Sequence, residues 1–320
     1  MNSAPASASS REVLDRLVTE QVNDHTKTLD QLDSERIMLL INDEDRRVAD
    51  GVRAIIPQIA ACADWVVDAF RRGGRLFYVG AGTSGRIGIL DASECPPTYG
   101  TDPSLVQGII AGGFRAVKDP VEGAEDSAET GAADIDAHGV AAADVVVGIA
   151  ASGRTPYVLG AMRRAKELGA RVVALCNNAD TPMAEIADLK LEAVVGPEAI
   201  HGSTRMKAGT AQKMILNLIT TTAFVRSGKV YGNLMVDLNP SNEKLVHRAK
   251  RIVALATGAG DDRVEAAFEA ADRHVKTAIV MILANVGADR AKALLQQADG
   301  FVQRALDLQR GVKKEATPPV

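Results

Sequence analysis

"GRLFYVGAGTSGRIGILDASECPP" (residues 74–97) opens with a short apolar run and passes through Gly80-Ala81-Gly82-Thr83-Ser84-Gly85 into a helical pattern. A strand that ends in GxGxxG and opens a helix belongs to a parallel α/β sheet, and the turn between them is a ready site for a phosphate. A dinucleotide cofactor would need more. It requires an acid about 20 positions further on, at the end of the second strand, for the ribose hydroxyls. The next strand-like run ends "IIAGGFRA" (109–116), with no acid, and Asp102 precedes the run rather than following it. The hydroxyls of Thr83 and Ser84, set beside orphan helix amides, suit a compact phosphate instead.

Working outward, strands and helices alternate. "RLFYVG" (75–80), "SLVQGIIAG" (104–112), "DVVVGIA" (144–150), "RVVALCN" (171–177) and "LKLEAVVG" (189–196) read as short, buried strands. Most are nearly continuous in apolar character, as strands covered on both faces are. Helical stretches such as "TPYVLGAMRRAKELGA" and "MKAGTAQKMILNLITTTAFVRSG" separate most of them. The pattern predicts an α/β fold, a three-layer α/β/α sandwich on a mainly parallel five-stranded sheet with right-handed crossovers. Ligands in such a sheet collect at the carboxyl ends of the strands. Ahead of the sheet, Val48, Val52, Ile55, Ile59, Val66 and Phe70 mark a helix with Asn42 as N-cap, a kink at Pro57 and a stop at Gly73-Gly74. After about residue 238, three Gly-separated helical stretches predict a small C-terminal three-helix unit. The expected organisation is 1–47 tail and helical arm, 48–237 sheet domain, 238–312 helical bundle and 313–320 tail.

Two further loops repeat the design of the first. "GIAASGRTPY" carries Ser152, Gly153, Arg154 and Thr155 after the third strand, and "HGSTRMKAGT" carries Ser203 and Thr204 before a long helix. Any one of these loops reads equally well as an ordinary Ser/Thr helix cap. Three of them at strand ends fit a phosphorylated polyol better than an extended dinucleotide.

Composition narrows the classes. Only 3% of residues are aromatic, which disfavours base-stacking platforms. A net charge of −4 disfavours a nucleic-acid backbone binder, so an anionic ligand must be held by a local pocket. Cys62, Cys95 and Cys176 are widely spaced and odd in number, as reduced, half-buried thiols of a cytoplasmic protein would be. No CxxC or HExxH occurs and the histidines show no ligand spacing, so no metal site is expected. The N-terminus lacks an apolar signal region and no 18-residue apolar run occurs, so neither a leader nor a membrane span is expected.

"GAGTSGR", "LDASECPPTYG", "VEGAEDS", "ASGRTPY" and "GSTRMKAGTAQKMILNLI" together resemble the N-acetylmuramic acid 6-phosphate etherases of the sugar isomerase (SIS) domain superfamily. The resemblance runs from about Thr19 past residue 300, with conservative departures such as Ile87 where leucine is usual. It implies cleavage of the D-lactyl ether of N-acetylmuramic acid 6-phosphate to N-acetylglucosamine 6-phosphate and D-lactate. It also implies a role in cell-wall recycling, no cofactor, and a homodimer with the site near the subunit interface. The glucokinase regulatory protein shares the architecture but is a much longer binder with two such domains.

The implied chemistry asks for particular residues. Carbon 3 lies β to the aldehyde of the open-chain sugar, so a base at carbon 2 and an acid at the lactate oxygen suffice for elimination. By motif position, Glu94 matches the family's proton donor and Glu125 its second acid–base residue. On the residues alone, Glu94 also reads as a surface acid before two helix-ending prolines. Glu125 reads as part of a solvated acidic face, just ahead of Asp126 as a helix cap. Ser84 and Ser152, with Thr83 and Thr155 as lesser candidates, are assigned to the phosphate and sugar hydroxyls, and Ser203 and Thr204 are weaker still. Arg86 suits a phosphate or the surface, and nothing in the spacing chooses between His201 and Lys207 as an aid to ring opening. Two rivals remain: a sugar-phosphate isomerase, which needs no acid at carbon 3, and a sugar-phosphate-sensing regulator, which needs neither glutamate.

Overall fold

The computed structural model of the protein describes residues 15–311, apart from residues 239 and 241. The tail expected at 313–320 and the small polar start of the chain lie outside the described residues. Three short 3₁₀ turns lead into α1 (Ser34–Arg53) and α2 (Ile56–Arg71). The sheet region follows as β1 (Leu76–Gly80), α3 (Gly82–Tyr99), β2 (Val106–Ile110), α4 (Arg115–Lys118), α5 (Ala128–Ala137) and β3 (Val145–Ile149). It continues through α6 (Pro156–Glu167), β4 (Arg171–Cys176), α7 (Pro182–Ile186), β5 (Leu189–Glu192) and α8 (Lys207–Arg226). A two-stranded hairpin, β6 (Val230–Tyr231) with β7 (Leu234–Met235), precedes α9 (Glu243–Thr257), α10 (Asp261–Ala270), α11 (Val275–Ala284), α12 (Ala288–Gln297) and α13 (Val302–Gln309).

All five expected strands form, each inside the run that predicted it. They pair in parallel in the order β2-β1-β3-β4-β5. Every residue of β1 and β3 is buried, and each Val or Leu so enclosed contributes about 1.5–3 kcal/mol of transfer free energy. On one face Phe77, Val79, Val146, Val172 and Ala174 pack with Tyr157, Val158, Ala161 and Met162 of α6. On the other, α2 lies against β3 and β5. Helices cover both faces, which is why these strands read as continuous apolar runs.

The chain divides into two compact units. One holds residues up to Ser93 together with Ser104–Thr220; the other holds Glu94–Pro103 and the residues from Thr221 onward. The second unit has its own core, built from residues such as Val253, Phe268, Ile279, Leu294 and Leu306. It contains five helices among the described residues rather than three. Asp272 and Arg273 take φ of 54° and 63°, and Asp299 takes 52°, so two stretches that read as continuous helices are each broken by a left-handed turn.

Five local expectations are corrected. The helical arm starts at Ser34 behind Asp33, whose side chain accepts from the Arg36 N–H, so Asn42 is mid-helix. Pro57 opens α2 after a break at Ile55 rather than kinking one long helix, because the first turn tolerates its missing N–H. Pro96 and Pro97 lie inside α3, which runs on to Tyr99, and Gly100 then takes φ of 59°. Ser127, not Asp126, caps α5 by accepting from the Thr130 N–H. The three thiols are fully rather than half buried, and burial pushes Cys62 up to about 12, so it is inert at neutral pH.

Candidate functional site

The sheet order reverses direction at β1 and β3, which lie side by side with Gly80 opposite Ile149. Open α/β sheets bind their ligands outside the carboxyl ends of strands at such a point. The loops leaving these two ends are the two serine–glycine loops, 81–85 and 150–155. The fold therefore brings together two segments that lie about 70 residues apart in sequence.

The first loop is shaped by its glycines. A Cβ on Gly85 would come within 2.5 Å of Ile110 Cγ1 and 2.8 Å of the Gly80 carbonyl. The helix start thus sits directly on the strand end, a packing only glycine permits. The Gly85 N–H reaches the Ala81 carbonyl at 3.3 Å, and the amides before it are the orphans of a helix start, available to an anion. Ser84 is 9% exposed, and its hydroxyl donates to Gln212 Oε1 at 2.9 Å. Gln212 Nε2 in turn donates to Asn177 Oδ1 (3.0 Å), and Asn177 Nδ2 to the Ala193 carbonyl (3.0 Å). A buried polar chain thereby links the first loop, α8 and the end of β4. Asn178 continues the polar lining, donating to the Ala151 carbonyl at 2.9 Å.

In the second loop, Gly153 takes φ of 66° and a Cβ there would strike Thr181 at 2.4 Å. The Arg154 N–H donates to Ser152 Oγ at 3.3 Å, which leaves the Ser152 hydrogen to be donated elsewhere. Thr155 occupies the N-cap position of α6 but makes no side-chain cap bond. The capping explanation for this loop therefore fails on its own terms. Glu125 is exposed, and its backbone carbonyl accepts from the Tyr157 N–H at 3.0 Å. That bond ties the Glu125 segment to the first turn of α6, next to the second loop.

The third cluster is built differently. The N–H groups of Lys207 and Ala208, at the start of α8, donate to the two oxygens of the buried Glu198 carboxylate at 2.8 and 2.9 Å. This helix start is capped from within and is not open to a phosphate. Ser203 and Thr204 are part-buried in the turn before it. A Cβ on Gly209 would meet Thr83 Cγ2 and the Thr204 carbonyl, each at 3.5 Å, so Thr204 and the first loop share a neighbour. Glu94, exposed near the end of α3, is counted with the second compact unit.

Lys207 is committed elsewhere. It is 1% exposed, and its Nζ lies 2.6 Å from Glu44 Oε2, itself 3% exposed, and 3.0 Å from the Pro197 carbonyl. Burial works against the Glu44 carboxylate, yet hydrogen bonds from Lys207, His25 and Asn23 outweigh it and hold its pKa at about 2. A depressed carboxylate contributes stability above its unfolded value of 4.5 that is lost as pH falls toward 2. Lys207→Met is accordingly expected to lower the unfolding free energy by about 3 kcal/mol. Urea melts at pH 7 and pH 3 check this, with the difference between variant and parent shrinking at the lower pH. His201 is exposed and bonds the Glu20 carbonyl at 2.9 Å.

Asp91, three residues before Glu94, was not singled out in the sequence. It is buried and accepts from Tyr78 Oη (2.9 Å), Asn217 Nδ2 (2.6 Å) and Thr220 Oγ1 (3.3 Å). Burial raises its pKa and these donors counter the rise. It pins α3 between β1 and α8. Its partners in α8 lie more than 120 residues away, so no local signal could have found the cluster.

Known families match this chain in the same region. Residues 58–166 match the glucokinase regulatory protein N-terminal SIS domain model, and 126–222 the SIS domain model. The chain is 54% identical over 296 residues to the N-acetylmuramic acid 6-phosphate etherase of Aliivibrio fischeri (strain MJ11), covering 92% of this chain and 99% of the relative. It is 56% identical over 271 residues to the N-acetylmuramic acid 6-phosphate etherase of Symbiobacterium thermophilum, covering 85% of this chain and 90% of that one.

Proposed function

The chain belongs to the N-acetylmuramic acid 6-phosphate etherase family, and on that premise we propose that it cleaves the D-lactyl ether of N-acetylmuramic acid 6-phosphate. The products are N-acetylglucosamine 6-phosphate and D-lactate. The observation that carries this reading is identity above one half along nearly the whole length of a relative bearing that name. The two serine–glycine loops at the sheet's switch point supply a fitting phosphate cradle.

The reaction proceeds from the open-chain sugar. Glu125 takes the carbon 2 proton, Glu94 protonates the lactate oxygen as the carbon–oxygen bond breaks, and water then adds to the unsaturated aldehyde at carbon 3. Thr83, Ser84, Ser152 and Thr155 hold the phosphate and sugar hydroxyls, with Ser203 and Thr204 at the margin. The protein works in the cytoplasm, in recycling of cell-wall amino sugars, as a homodimer with the site near the subunit interface. No helix among the described residues is long and apolar enough to cross a membrane.

The Ser84 bond has a consequence for binding. Its hydrogen lies on Gln212 Oε1, so the phosphate must draw that donor away from a neutral carbonyl to itself. A hydrogen bond to a charged acceptor is the stronger of the two. Ser84→Ala is expected to raise KM about 10-fold with little change in kcat. Steady-state kinetics of D-lactate release check this, and an unchanged KM would remove Ser84 from the phosphate site.

A further inference from the structure

The substrate carries two anions, a phosphate on carbon 6 and a carboxylate on the lactyl group at carbon 3. The hydroxyl loops account for the first. Arg154 offers a receiver for the second. It sits in the loop leaving β3, beside β1 at the switch point, and is itself part-buried. Its Nε is shut off from solvent and has no hydrogen-bond partner. No ion pair engages its guanidinium among the described residues. A buried guanidinium nitrogen without a protein partner is uncommon in folded proteins and calls for an acceptor from outside the chain, a water or a ligand.

The arginine that follows the first loop makes the contrast. Arg86, one turn into α3, spends its Nε on the Val117 carbonyl at 3.1 Å. Among the described residues, Arg154 is held through its backbone, whose N–H donates to Ser152 Oγ. The edge made by Nε and one terminal nitrogen of a guanidinium is planar and two-pronged and matches the two oxygens of a carboxylate, so a ligand that reaches this edge would supply the acceptor that Nε lacks. Phosphate at this site is already served by helix-start amides and hydroxyls, which need no planar fork.

We propose that Arg154 is a specificity-determining residue that binds the lactyl carboxylate of the substrate; this rests on the etherase reading above. It aligns the carbon 3 substituent for expulsion and separates lactyl ethers from sugar phosphates that lack the carboxylate. The product N-acetylglucosamine 6-phosphate retains the phosphate and has lost that carboxylate, so it serves as the control ligand.

The test measures D-lactate release and inhibition by N-acetylglucosamine 6-phosphate for wild type, Arg154→Ala and Arg154→Lys. The expected result is a fall of about 10- to 100-fold in kcat/KM for Arg154→Ala, partial recovery with lysine, and an unchanged inhibition constant for the product. Retained product binding also shows that the variant is folded, and Arg154→Lys keeps the stem and charge should the alanine variant not fold. Equal weakening of substrate and product in both variants would place the guanidinium on the phosphate and overturn the proposal. Unaltered kinetics in both would overturn it as well. A wild-type chain that binds the product but releases no D-lactate would sink the etherase reading and this proposal together, whereas an active wild type confines any failure to Arg154.

Discussion

Glu94→Gln is expected to slow D-lactate release by a factor on the order of 10²–10⁴, the usual contribution of a positioned general acid. The lactyl oxygen leaves carbon 3 as an alkoxide unless a proton reaches it as the bond breaks. Glutamine keeps the shape of the side chain and its hydrogen bonding but has no acidic proton to give. The residue lies near the end of α3, the helix that starts in the first serine–glycine loop. If Glu94 serves only as the acid, carbon 2 should still exchange its proton with solvent in this variant. Full lactate release by Glu94→Gln would remove it from the mechanism.

Glu125→Gln should fail one step earlier. Proton exchange at carbon 2 and D-lactate release should fall together, again by about 10²–10⁴-fold, because elimination cannot begin without the enolate. Glu125 is exposed, but its backbone is held to the first turn of α6 by the Tyr157 N–H, and Tyr157 is buried in the sheet core. The carboxylate is therefore free to reach a ligand while its segment is fixed. Monitoring carbon 2 in deuterated water by NMR separates the two variants: exchange without release for Glu94→Gln, neither for Glu125→Gln. Surviving exchange in Glu125→Gln would assign the base to another residue.

The sheet was legible because parallel strands covered on both faces leave continuous apolar runs in the sequence. The two serine–glycine loops were legible because a close approach of helix to strand demands glycine, as at Gly85. Helix breaks without glycine were not. Asp272 and Arg273 turn the chain between α10 and α11 in left-handed conformations that their residue types do not announce. Between α12 and α13, Gly300 at φ 78° was a usable signal.

The polar interior was hidden for another reason. The Ser84–Gln212 bond spans 128 positions and the Lys207–Glu44 pair 163, and periodicity carries no information at that range. Lys207 illustrates the consequence. In sequence it is a cation beside a hydroxyl cluster, while in the fold it neutralises a buried carboxylate. The cap that Glu198 places on α8 likewise sets the third hydroxyl turn apart from the other two.

Elimination followed by water addition puts a solvent oxygen on carbon 3, which oxygen labelling detects. Incubating the protein with N-acetylmuramic acid 6-phosphate in oxygen-18 water should release unlabelled D-lactate and leave one oxygen-18 on carbon 3 of N-acetylglucosamine 6-phosphate. Label appearing in the lactate instead, or no lactate at all, would contradict it.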